Sequence, residues 1–170
     1  MLDPSKCSAS SDYWKGNRRF YVTRAEEHGC FTSPWFDGTH PVMLSFGHSD
    51  APWYAKTGSH HGIDIDLPVG TPVRSAISGT VRVRPASLGT VYGVKALLLR
   101  SDGHDIVLGH LSSVVVQDGQ RVGPGDLLGH SGMSGVEDMD GPHLHFEVRP
   151  VGGTYRSALH PWSFLRAQRS

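Results

Sequence analysis

Apolar residues in this chain come in short runs cut by glycine, proline and small polar residues, and few of them recur at a helical period. From Pro41 onward the pattern reads as strands. Residues 42–46 form an apolar run closed by Gly47. Ile63, Ile65 and Leu67 alternate with Asp64 and Asp66, and a turn follows at Pro68-Val69-Gly70. Two more strands are expected at 71–76 and 79–84, the second with Val81 and Val83 on one face and Arg82 and Arg84 on the other. Residues 91–100 and 105–111 predict a hairpin around Ser101-Asp102-Gly103-His104, where Asp-Gly supplies the turn chemistry. Short strand pieces at 114–116, 121–122 and 126–129 are bent by glycines, 131–140 reads as a loop, and 143–149 alternates cleanly. One helical turn is expected at 160–165, docking Trp162 and Leu165 on the sheet. The pattern therefore predicts an all-β, or β-dominated, chain with an antiparallel sheet core and little helix.

Length and composition refine this picture. The 170 residues suffice for one domain with a real core and not comfortably for two. Residues 1–40 are polar and irregular, with at most a short helix or an extra strand between Asp12 and Glu27. The expected division is a 1–40 N-terminal appendage, a 41–150 sheet domain and a 151–170 tail packing on it. With 16 basic and 16 acidic side chains the formal charge is zero, so nothing favours nucleic acid or membrane surfaces, and a partner must be recognised by a site. No apolar run is long enough to span a bilayer, and the opening residues lack the basic and apolar regions of a signal peptide. Cys7 and Cys30 both lie in the appendage and are equally compatible with a disulfide or two thiols.

The candidate chemistry lies in the histidines. His143 and His145 project from one face of their strand, while Leu144 and Phe146 face the other way. An amphipathic strand with surface histidines would look the same. His60 and Asp64 are four apart, with Gly62 between them permitting a bend. Taken together, His60, Asp64 and one of His143 and His145 offer the three nitrogen and oxygen ligands that a catalytic zinc uses beside an open position. Such a set leaves the centre with about one unit of positive charge, which acidifies a bound water. Strand geometry lets either histidine bind, and the other would then stand beside the water as a base. Asp66 shares a strand face with Asp64 and is its rival. His28, His40, His48 and His104 read as solvated loop residues, and His130 is a candidate for the cleft lining. Glu147 is equally a hydrogen-bond partner for a ligand imidazole or a surface carboxylate. Nothing in the spacing gives Tyr54 or Tyr92 a role.

The stretch His60-His61-Gly62-Ile63-Asp64-Ile65-Asp66-Leu67-Pro68-Val69-Gly70-Thr71-Pro72-Val73, followed by Gly79-Thr80-Val81, resembles the first signature of the lysostaphin-type zinc endopeptidases. Gly109-His110-Leu111-Ser112 resembles that family's middle histidine segment, and Gly141-Pro142-His143-Leu144-His145-Phe146-Glu147-Val148 its closing signature. The resemblance runs from about Pro41 to Arg149. It implies a sheet with a cleft of the duplicated-hybrid-motif kind, and one zinc per chain held by His60, Asp64 and His145. It further makes His143 the base for the attacking water and His110 the partner of the oxyanion, and it puts His61 at a variable position in the cleft wall. The implied activity is hydrolysis of peptide cross-links or bridges of bacterial peptidoglycan by a monomer acting at the cell wall, outside the cytoplasm or delivered by a phage. Alternatives on the same fold are a wall-binding or amidase-activating module without activity, and a zinc peptidase acting on glycine-rich protein. Residues between Gly132 and Gly141 depart from the family in being longer and more acidic than its short turn, and 47–59, with Trp53 and Tyr54, would form another wall.

Overall fold

The computed structural model describes residues 27, 29–49, 58–135 and 142–166. In them the chain runs β1 (Cys30–Ser33), β2 (Phe36–Leu44), β3 (Ile63–Ile65), β4 (Pro72–Arg74), β5 (Gly79–Val83), β6 (Leu97–Arg100), β7 (His104–Gly109), β8 (Leu111–Val114), β9 (Arg121–Val122), β10 (Leu127–Ser131), β11 (Leu144–Pro150) and α1 (Trp162–Arg166). Every strand pairing is antiparallel, in the order β8-β10-β4-β2-β3-β11-β7-β6-β5-β9, and β1 pairs with β2 off this path. Strand β2 joins the two halves. Phe36 pairs with Val73 of β4 at one end, and Val42 pairs with Ile65 of β3 at the other, where the register shifts before Leu44.

Alternation decides what the sheet buries. Ile63 and Ile65 of β3, Leu97 and Leu99 of β6, Ile106 and Leu108 of β7, and Leu144, Phe146 and Val148 of β11 all enter one core. Each such side chain contributes roughly 1.5–3 kcal/mol by leaving water. Trp35 meets Phe146 edge-on at 5.1 Å and donates its indole N–H to the Phe164 carbonyl at 3.1 Å. The tail is fastened there too: Leu165 is fully buried and Ser33 donates its hydroxyl to the Leu165 carbonyl. A second, smaller cluster of Leu88, Tyr92, Ala96, Leu98 and Val107 covers the opposite face of β6 and β7. This part of the sheet is consequently dry on both sides.

The expected hairpin is present at β6 and β7, with Arg100 opposite Asp105 and Ser101 N–H bonded to His104 C=O. Its first strand starts at Leu97, and not at Val91. Residues 84–96 instead make an excursion with a 3-10 turn at Ala86–Leu88, and their backbone bonds go to the segment after β7, from His110 N–H to Tyr92 C=O and from Leu111 N–H to Lys95 C=O. Gly93, at φ 89°, makes the bend possible in contact with Ser134. Val91 and Val94 are left exposed while Tyr92 turns inward.

Cys30 is disulfide-bonded, and Cys7 lies outside the described residues. So do residues 12–26, most of the stretch where a helix or an added strand was expected. No helix among the described residues is long and apolar enough to cross a membrane.

Candidate metal centre

Three adjacent strands carry the centre. On β11, His145 stands opposite Asp64 of β3 on one side and Gly109 of β7 on the other. His60 arrives from the loop ahead of β3, its backbone held by Gly47 and His48 at 2.8 Å each. Ligand-capable atoms of His60, Asp64 and His145 all lie within 4.8 Å of one another, and all three residues are buried. Asp64 Oδ1 is 3.2 Å from His60 Nε2 and 3.0 Å from His145 Nδ1.

The two imidazoles turn opposite nitrogens inward. His60 donates Nδ1–H to the Ser45 carbonyl at 3.0 Å, which leaves Nε2 facing Asp64. His145 donates Nε2–H to Glu147 Oε1 at 2.9 Å, which leaves Nδ1 facing Asp64. An acceptor behind each ring fixes its tautomer and orientation, as metal-bound imidazoles require. At Gly62 a Cβ would come within 2.5 Å of the Phe146 carbonyl and 2.7 Å of His145 Cε1, so the ring lies against bare backbone. Once their inward nitrogens have given up their protons, two imidazoles held from behind and one carboxylate would fit a borderline ion such as zinc.

His145 belongs to the cluster, while His143 Nε2 lies 3.7 Å from the other carboxylate oxygen of Asp64, with its ring 4.7 Å from that of His110. Asp66 is buried outside the cluster. His61 stacks on Tyr155 at 4.7 Å. His130 sits on β10 with its Nδ1 2.6 Å from Ser113 Oγ, apart from the others. His104 lies against Phe164. His40, expected in solvent, is buried because β2 starts as early as Phe36; its Nε2 meets the Asp37 carbonyl at 2.8 Å. His28, Trp53 and Tyr54, and the acidic stretch 136–141, lie outside the described residues.

Glu147 proves to be no surface carboxylate. It is fully buried and accepts from His145, from the Tyr92 hydroxyl at 2.8 Å and from Arg149 Nε, while Arg149 Nη2 donates to the Tyr92 oxygen at 2.9 Å. The parts of Tyr92 and Arg149 are not legible in the sequence pattern, because the excursion at 84–96 is what covers this face. Burial alone would raise the Glu147 pKa, but the hydrogen bond and charge of His145 and the charge of Arg149 outweigh it and hold the carboxyl at about 2. Burial likewise opposes a charged His145, yet the bonds to Asp64 and Glu147 lift it to about 9 with no ion bound. Against its own burial, Asp64 is held well below the usual carboxylate range by the charges of His60 and His143 and the bonds from His145 and His60.

A pH dependence follows for the chelated protein. Because the folded-state pKa of Glu147 is depressed to about 2 from an ordinary 4.5, the unfolded chain binds more protons between those values. The stabilisation is present above about 4.5 and is lost as pH falls toward 2. Thermal melts across that window should show the midpoint falling steeply, and Glu147→Gln should flatten the slope.

His110 follows Gly109 with φ 62°. Its Nδ1–H donates to the Ser134 carbonyl at 2.7 Å. Burial, reinforced by the charges of His143 and His145, pushes its pKa down to about 3, so the ring is neutral at neutral pH and carries its lone pair on Nε2.

The nitrogen and oxygen set of His60, Asp64 and His145, with two further imidazoles beside it, is one that could hold a metal ion. Residues 58–157 match peptidase family M23, and the chain belongs to that family. It is 32% identical over 151 residues to the glycyl-glycine endopeptidase ALE-1 of Staphylococcus capitis, covering 88% of this chain and 40% of that protein. It is 33% identical over 111 residues to the DD-carboxypeptidase/endopeptidase Mpg of Neisseria meningitidis, covering 65% of this chain and 25% of that protein. The fold matches the catalytic domain of the antimicrobial peptidase lysostaphin from Staphylococcus simulans with a TM-score of 0.65 and 27% identity, over 75% of this chain and 93% of that domain. The chain thus spans well under half the length of these two curated relatives, and nearly the whole of the lysostaphin catalytic domain.

Proposed function

We propose that this chain is a zinc-dependent endopeptidase that hydrolyses peptide cross-links or bridges of bacterial peptidoglycan at the cell wall. The observation that carries this reading is the convergence of His60 Nε2, Asp64 Oδ1 and His145 Nδ1, each ring held from behind, with His143 and His110 alongside. All three donors come from one chain, so a monomer suffices to hold one ion. Both curated relatives described above are named as endopeptidases, which supports hydrolysis over a purely binding role.

Bound by His60, Asp64 and His145, zinc would supply Lewis acidity to a water and to the scissile carbonyl. His143, beside the open side of Asp64, is the base that takes the proton of the attacking water. His110 contributes in a definite order: its Nδ1–H is committed to Ser134, so Nε2 must gain a proton before it can donate to the oxyanion. The adjacent ring of His143 is the group placed to share that proton.

Purified peptidoglycans, one with glycine bridges and one directly cross-linked, provide the test. New amino groups should appear from at least one, their release should stop on chelation and return with zinc, and mass spectrometry of the fragments would identify the bond. Stoichiometric zinc binding with no amino groups released from either would overturn the enzymatic reading.

A further inference from the structure

Glu27 lies well ahead of residue 58, where the family match begins, yet its carboxyl is buried behind the metal centre. Its Oε2 accepts the hydroxyl of Ser45, and the carbonyl of the same Ser45 accepts His60 Nδ1–H at 3.0 Å. Ser45 sits one residue beyond the end of β2, past the last pairing of that strand with β3 at Leu44 and Asp64. The β2–β3 pairing ends before the peptide that holds His60; backbone bonds of His60 with Gly47 and His48 follow it, and the side chain of Ser45 itself is tied to Glu27.

The other oxygen of Glu27 has no hydrogen-bond partner among the described residues; His160 Nε2 lies 3.9 Å from it, and the His160 ring rests on Phe46. A carboxylate so buried with one hydrogen bond is a poor stabiliser of a fold. Its place, one side chain away from the anchor of a ligand imidazole, supplies a different use.

We propose that Glu27 is a positioning residue of the metal centre, acting through Ser45 to keep His60 turned with Nε2 toward Asp64. The proposal rests on the reading of His60 as a zinc ligand. It gives a part of the chain outside the family match a share in the site, and it makes the two imidazoles alike: His145 is braced by a buried carboxylate directly, and His60 by one through a serine.

The test measures zinc affinity of the full chain by chelator competition. Loss of an outer partner of a ligand typically weakens metal binding by about 10–100-fold. Glu27→Ala and Ser45→Ala should each weaken zinc near the lower end of that range, and the double variant should be no weaker than the single ones. Glu27→Gln, which keeps an acceptor oxygen, should recover most of the affinity. The NMR signal of the His60 Nδ1 proton should broaden or shift in Glu27→Ala and return in Glu27→Gln, a response that general loss of stability would not give. Should Glu27→Ala fail to fold, Ser45→Ala removes only a hydroxyl and carries the test alone. Wild-type affinity in Ser45→Ala, or a Glu27→Gln protein as weak as Glu27→Ala, would overturn the proposal. A wild-type chain that binds no zinc would instead overturn the metal reading itself.

Discussion

Asp64→Ala protein is expected to lose its zinc on dialysis and to turn over peptidoglycan about 10³-fold more slowly than wild type, the rate equivalent of roughly 4 kcal/mol. Asp64 is the one carboxylate of the candidate set, and a single oxygen of it lies close to both imidazoles. Without it the set keeps two imidazoles and no carboxylate to offset the charge of an ion. His143→Ala is expected to separate binding from chemistry. It removes a ring outside the three-residue cluster, 3.7 Å from Asp64 Oδ2 and not Oδ1, so zinc should stay stoichiometric while turnover falls by about 10²–10⁴, the usual worth of a positioned base. Metal analysis after dialysis, paired with the amino-group assay, reads both. An Asp64→Ala protein that keeps its zinc would shift the ligand role to another carboxylate, with Asp66 first in line.

Glu147→Ala is expected to cost about 3–5 kcal/mol of stability, a fall in melting temperature of roughly 10 °C for a domain of this size. The loss comes from what is left behind. Arg149 is almost wholly buried, and without Glu147 its hydrogen bonds among the described residues are to the Tyr92 oxygen and, at 3.5 Å, to the Gly153 carbonyl. His145 loses the acceptor that fixes its tautomer at the same stroke, so zinc affinity should fall by about 10–100-fold as well. Replacing Glu147 and Arg149 together by apolar residues of similar volume should recover much of the stability and none of the metal affinity. Melts and chelator titrations on the same samples distinguish the two effects.

Much of this was legible in the chain because it depends on short-range periodicity. The alternation of β11 places Leu144, Phe146 and Val148 in the core and His145 on the other face, and Asp-Gly marks the turn between β6 and β7. Which of His143 and His145 lies with His60 and Asp64 was not legible from spacing, since it depends on the cross-strand register of His145 with Asp64. Burial of Glu147 and Arg149 also escaped the pattern. Both sit on the polar face of an apparently amphipathic strand, and only the excursion that carries Tyr92 over them makes that face an interior. His40 escaped for a related reason, because β2 reaches back to Phe36 through Gly38, a residue that ordinarily breaks strands.

The hydrogen bond between Asp64 and His145 joins residues 81 apart along the chain. Closing such a span costs entropy before any contact repays it, and sheets built on such pairings form slowly. While the chain is still open, His145 is not yet beside His60 and Asp64, and those two offer an ion only a weak grip. An ion held by all three would therefore arrive after the sheet has closed, and its effect would fall on the rate of unfolding and hardly on the rate of folding. It would act as a latch on a finished structure and not as a seed for it.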